Sequence, residues 1–143
     1  MSFKGRPFLP SDMEWYESWY KARDHVEPPP PPKVSHVIEH ADFGPVAAGG
    51  IVLTDSDYTF PEGFCTNPKA PASIRKEALF ALGVWAFKTT VGLGYKRAIT
   101  ITQAPVIAEL FESMVAHDIM GEGLPSVFTE FKAHKVYEVK HGK

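Results

Sequence analysis

From Ser73 to about Val91 the sequence predicts a helix with almost no polar face. Ile74, Ala78, Leu82 and Trp85 line one side, and Leu79, Phe80, Val84 and Phe87 cover much of the rest. A helix this apolar all round has to be buried on two sides. The elements around it follow from local signals. Phe64 to Thr66 reads as the end of a short buried strand, and a loop punctuated by Pro68 and Pro71 follows. Ser73 is the expected N-cap. Gly92 and Gly94 stop the helix, and Arg97 to Thr102, alternating Ile with Thr, forms the next strand. Phe64 to Thr102 is thus a strand–helix–strand unit of βαβ type, which sets a loop and a helix start at a strand end. The first N–H groups of a helix lack internal partners and point outward, so an anion can bind there.

Upstream, Ser2 to Leu9 reads as a strand carrying Phe3 and Phe8, and Pro7 places it at a sheet edge. Ser11 and Glu14 have the spacing of a capping box, with Asp12 in the first turn, so a helix is expected over Asp12 to Arg23. Its Met13, Tyr16 and Tyr20, flanked by Trp15 and Trp19, read first as core packing and second as the lining of a cleft or partner contact. Pro28 to Pro32 fix an extended polyproline segment, best read as a stiff spacer. Three strands joined by short turns then form an antiparallel meander: Val34 to His40, Val46 to Thr54, and Tyr58 to Thr66. The last is interrupted at Pro61. Gly49 and Gly50 inside the second suggest a bulge or a close backbone approach. Asp55 and Asp57 serve the intervening turn.

Downstream, Pro105 opens another helix, on which Ile107, Leu110, Phe111 and Met114 share a face. Gly121-Glu122-Gly123 with Pro125 is a flexible connection. Val127 to Phe131 and Lys135 to Val139 alternate as a final hairpin.

Composition limits the functions available. The 143 residues suit one domain over 1–143, and 44% hydrophobic residues supply its core. With 15 Lys+Arg against 17 Asp+Glu the chain has no basic excess to recruit nucleic acid. The single Cys65 excludes an internal disulfide and any cysteine metal cluster. The six histidines show no metal-ligand spacing. No apolar run reaches membrane-spanning length, and Met1 to Pro10 has no signal-peptide core, so a cytoplasmic protein is expected.

The element order β-α-(polyproline)-β-β-β-α-β-α-β-β resembles that of the GCN5-related N-acetyltransferases (GNAT), over nearly the whole chain. The local likeness is strongest from Phe64 to about Met114. Phe64-Cys65-Thr66-Asn67-Pro68, the helix from Ser73, Gly94-Tyr95-Lys96-Arg97-Ala98-Ile99 and the helix from Pro105 sit where that family's pattern wants them. The resemblance implies an α+β fold: a mixed, mostly antiparallel sheet of six or seven strands with about three helices. It implies acetyl-CoA as co-substrate, with Phe64, Cys65 and Thr66 facing its pantetheine arm. Lys69, Ala72, Ser73, Ile74 and Arg75 would face its pyrophosphate. The family's glycine-rich loop is here Lys69-Ala-Pro-Ala-Ser-Ile-Arg75, without glycine, and Pro71 removes a donor. Where the family places a tyrosine acid, the nearest register offers Phe111, and Val115-Ala116 follow it.

Amine acetylation needs a base for the ammonium proton. Glu62, beside the pantetheine-facing strand, is the first candidate, and Glu39 is the second, with His40 and His36 behind it. As a loop glutamate between Pro61 and Gly63, Glu62 nevertheless reads first as solvated and idle. Cys65 has no sequence neighbour to activate it and reads as a small apolar residue. Two functions fit. One is an acetyl-CoA-dependent N-acetyltransferase acting on an amine of a small molecule or a protein, with a homodimer allowed and no nucleic acid or membrane partner. The other is a GNAT-like binding or regulatory protein without catalysis, of a kind that a phage could encode.

Overall fold

A computed structural model of the chain describes residues 2–24, 30–101, 124–128 and 134–138. Its elements are β1 (Phe3–Pro7), a 3-10 turn (Pro10–Asp12), α1 (Met13–Asp24), β2 (Val34–His40), β3 (Gly44–Leu53), β4 (Tyr58–Thr66), α2 (Ala72–Gly92), β5 (Arg97–Ile101), β6 (Leu124–Phe128) and β7 (His134–Glu138). The strands hydrogen-bond in the order β1-β2-β3-β4-β5-β7-β6. The pairs β1/β2, β5/β7 and β6/β7 are antiparallel and β4/β5 is parallel. This is the mixed, mostly antiparallel sheet that the sequence implies. Both edge strands carry a proline, Pro7 in β1 and Pro125 in β6, where a missing N–H costs no ladder bond. That tolerance explains why β6 begins at Leu124 rather than at Val127: the residues around Pro125 join the strand instead of the loop before it. The helix expected from Pro105, with Phe111, lies outside the described residues.

The chain divides into two compact units, Met1–Gly50 with Gly63–Leu82, and Ile51–Glu62 with Gly83–Lys143. In the first unit the aromatic face of α1 is core. Tyr16, Trp19 and Tyr20 are buried with Val37, Ala48 and Cys65, and Phe8, Met13 and Trp15 pack against them. The Trp15 and Trp19 rings lie 4.2 Å apart, and Phe8 meets Tyr16 edge-on at 5.4 Å. Each such side chain contributes roughly 1.5–3 kcal/mol through burial. Gly49 and Gly50 mark a close approach: a methyl at Gly49 would overlap the Phe64 ring, and one at Gly50 would overlap Ser35 Oγ.

The start of α1 differs from the expected capping box. Asp12, not Ser11, caps the turn: its Oδ2 accepts the Leu9 N–H at 2.7 Å, while Ser11 is exposed. The Asp12 carboxylate also takes both Arg6 amino groups (2.7 and 2.8 Å) and the Trp15 indole N–H (3.1 Å). Arg6 holds its carboxyl below the usual carboxylate range, chiefly through these hydrogen bonds and against the effect of burial. A fourfold-bonded, buried carboxylate outcompetes an exposed serine hydroxyl for the chain entry.

In the second unit, Thr59 and Thr90 share a fully buried hydrogen bond of 2.9 Å, and Thr90 also bonds the Ala86 carbonyl. The turn before β4 is held by Thr54, whose hydroxyl donates to the Tyr58 carbonyl at 2.6 Å and accepts the Ser56 N–H. Asp57 instead forms an ion pair with Arg97, and its carbonyl accepts the Lys96 and Arg97 N–H groups at 2.8 and 3.0 Å. Along α2, Ala78, Leu79, Leu82, Gly83, Ala86, Phe87 and Thr90 are buried, with half-buried residues on both flanks. The expected two-sided burial is thus a buried stripe with shielded shoulders.

Candidate functional site

Strand β4 keeps only a short ladder with β5. The registered pairs are Tyr58↔Arg97 and Thr59↔Ala98. Beyond them β5 keeps its β7 partners, Ile99↔Val136 through Ile101↔His134. The cause lies in the sequence. Since the Asp57 carbonyl points at β5, alternation points Thr59 and then residue 61 the same way. Residue 61 is proline and has no N–H to give. The ladder stops there, although β4 itself runs on to Thr66.

Two residues later the strand kinks. Gly63 has φ +72°, a left-handed conformation that disfavours side chains. A methyl there would also meet Tyr16 Oη at 2.9 Å. Past the kink, the Asn67 N–H donates to the Val46 carbonyl at 3.0 Å, so alternation turns Phe64 and Thr66 toward the edge of β4 away from β3. On that edge the Arg23 guanidinium donates to the Phe64 carbonyl at 3.3 Å and stacks 5.0 Å from the centre of the Tyr20 ring. Burial pushes the Tyr20 hydroxyl up, and hydrogen bonds with Tyr16 and Arg23 pull the other way. The sequence offers Tyr16 and Tyr20 as cleft lining only as a second reading, after core packing, and does not single out Arg23. Their i, i+4, i+7 spacing on α1 was the available signal. The Phe64 ring lies buried against Gly49, and Thr66 is half-buried. Cys65 is 2% exposed inside the aromatic cluster, and burial pushes its thiol up to about 12. It is a neutral packing residue, not a nucleophile.

The loop into α2 is braced from within. Asn67 Oδ1 accepts the Lys69 N–H at 2.9 Å and the Asn67 carbonyl accepts the Ala70 N–H at 3.1 Å. Pro68 and Pro71 have no N–H. The Arg75 guanidinium bonds the Pro68 and Ala70 carbonyls at 3.3 and 2.8 Å, so it holds the loop's shape. Helix α2 starts at Ala72, with Arg75 N–H bonded to the Pro71 carbonyl. Ser73 therefore lies in the first turn rather than at the cap. The N–H groups of Ala72, Ser73 and Ile74 have no acceptor among the described residues. Lys69 and Lys76 stand exposed nearby in sequence.

The two candidate carboxylates differ. Glu39 Oε1 accepts from Arg6 Nε at 2.8 Å, part of the Arg6–Asp12 network. Glu62 is exposed and makes no hydrogen bond or ion pair among the described residues. It borders a recess of about 220 Å³ lined with it by Val52, Phe60 and Pro61. His40 Nδ1 accepts the Asp42 N–H at 3.0 Å and serves the β2–β3 turn. His36 is held below its usual range by burial, with Arg6 adding to the effect. Among the described residues no cluster of three metal ligands occurs, and no helix is long and apolar enough to cross a membrane.

No protein-family model matches the sequence, and no curated protein does. Solved structures do. Neisseria gonorrhoeae N-acetylglutamate synthase, complexed with coenzyme A and L-arginine, superposes on 99% of this chain with a TM-score of 0.63 at 9% identity; the chain spans 34% of that protein. A Sinorhizobium meliloti phosphinothricin acetyltransferase in complex with AcCoA matches over 96% of this chain and 88% of its own, with a TM-score of 0.63 and 11% identity. Vibrio cholerae spermidine N-acetyltransferase, with CoA and spermine, matches over 96% and 93%, with a TM-score of 0.60 and 11% identity. The mixed strand order, the two-pair ladder between β4 and β5, and these superpositions together give the chain the GCN5-related N-acetyltransferase fold.

Proposed function

We propose that the protein is an acetyl-CoA-dependent N-acetyltransferase, acting on an amine. The observation that carries this reading is the end of the β4–β5 ladder at Pro61, with β4 running on to Thr66 and then into a helix start. Such a strand end suits an extended, amide-bearing arm, which can pair with the backbone of Thr66 and with the Phe64 carbonyl beside its Arg23 contact, as a strand would. The N–H groups of Ala72, Ser73 and Ile74, with Lys69 and Lys76, suit a diphosphate. Arg75 acts through the loop it braces. Acetyl-CoA, when bound, supplies the activated acyl group. Glu62 accepts the proton that the ammonium must lose before its nitrogen can attack a carbonyl. Glu39 stays with Arg6.

A second reading, a GNAT-fold binding protein without catalysis, draws on the same loop. Two prolines and two internally bonded N–H groups leave it few donors for phosphate. Thermal unfolding with CoA separates the two. A ligand of the folded state stabilises by about 2.7 kcal/mol at a hundredfold excess over Kd. We expect a rise of several degrees in Tm at millimolar CoA. No rise would favour the non-catalytic reading.

A further inference from the structure

Two successive carbonyls of β4 are taken by side chains of α1. The Tyr16 hydroxyl donates to the Gly63 carbonyl at 3.5 Å, and the Arg23 guanidinium donates to the Phe64 carbonyl at 3.3 Å. Both contacts fall at the kink where Gly63, with its positive φ, turns the strand. The two donors are tied together: the Tyr20 hydroxyl bonds with both Tyr16 and Arg23, and the centre of its ring lies 5.0 Å from the guanidinium. Tyr16 and Tyr20 belong to the buried cluster, so this chain of bonds is anchored in the packing of α1. Pro32 closes on the same point, its Cδ 3.7 Å from where a methyl on Gly63 would stand.

Arg23 differs from the two tyrosines in being exposed, so its contact with β4 adds little to the core. A carbonyl oxygen has two lone pairs. The guanidinium uses one on Phe64 and fixes the direction of the other. An amide N–H arriving along the strand end meets an acceptor that is already aimed, with less ordering left to do on binding. We infer that Arg23 is a positioning residue for the pantetheine arm, acting through the Phe64 carbonyl. The inference rests on the acetyltransferase reading for the arm's place along β4. It divides the cofactor seat in two: α1 shapes the place of the arm, and the loop before α2 shapes that of the diphosphate. The two parts should answer separately to mutation.

The experiment compares the full chain with its Arg23→Ala variant in two arms. Without any ligand, the carbonyl-carbon NMR signal of Phe64 should move upfield when its guanidinium donor is lost; an unmoved signal would overturn the inference with no reference to CoA. In the second arm, calorimetry compares binding of CoA with binding of its nucleotide part, cut off after the diphosphate so that the pantetheine arm is missing. Arg23→Ala should weaken CoA about fivefold and leave the nucleotide part unchanged. An equal loss for both ligands would make Arg23 a general support of the fold, and unchanged CoA binding would leave it no part in the seat; either result overturns the inference while the acetyltransferase reading stands. If the unaltered chain binds neither ligand, it is the acetyltransferase reading that fails, and the inference falls with it.

Discussion

Glu39 and Glu62 are chemically the same group in opposite surroundings. Glu39 lies on β2 within reach of Arg6, which also clasps the buried Asp12. Arg6 bridges the two carboxylates and so ties β1, the 3-10 turn and β2 together. Glu62 lies on β4 between a proline that ends a ladder and a glycine that kinks the strand. Its carboxylate has apolar neighbours and solvent. Arg6 already occupies the Glu39 carboxylate, so a substrate ammonium could reach it only by displacing the guanidinium. Position in the hydrogen-bond network, more than residue type, separates the brace from the candidate base.

The contrast can be broken by mutation. The largest expected effect is on turnover: Glu62→Gln should lower it by about 10²–10⁴-fold, the usual share of a positioned base, and leave the CoA-induced rise in Tm intact. Glu39→Gln should leave turnover within about twofold; a reversed ranking would exchange the roles. Next comes stability. Asp12→Ala strands the Arg6 guanidinium and removes acceptors from Leu9 and Trp15, at a cost of about 3 kcal/mol in urea unfolding. The pH dependence has a definite sign. The Asp12 carboxyl is depressed in the folded state, so its contribution is complete above the unfolded value of about 3.9. It is lost as pH falls below that value and through the folded one. The unaltered protein should therefore lose stability on that acid limb, and Asp12→Ala should show less of the loss. A smaller effect, about 2 kcal/mol, is expected for Gly63→Ala, from its positive φ and the contact with Tyr16 Oη. Tyr16→Phe should relieve part of it. Least of all, Glu39→Gln should cost about 0.5 kcal/mol, since the pair is partly exposed.

Much of the fold was legible because it follows from local chemistry. Pro7 marks an edge strand and the apolar length of α2 demands burial, whereas Pro61, read as an interruption, leaves β4 unbroken to Thr66 and ends only its ladder with β5. The departures have a common cause in distance along the chain. Ser11-x-x-Glu14 is a sound local cap, yet Arg6, Leu9 and Trp15 converge on Asp12 and override it. The Glu39 partner lies 33 residues away and the Arg23 contact with Phe64 spans 41. No spacing rule reaches that far. Pro125 reads as a loop residue until β6 proves to be an edge. At the site, the alternation that aims Phe64 and Thr66 could be read from sequence only once the Asn67–Val46 bond had set its phase.

The most direct test of the proposed cofactor seat along the end of β4 is amide hydrogen exchange with and without CoA. If Phe64 and Thr66 pair with an extended arm, their exchange slows on adding CoA, together with that of Ala72 and Ser73. Unchanged exchange at Phe64 and Thr66 under saturating CoA, or slowing confined to other strands, would contradict the account.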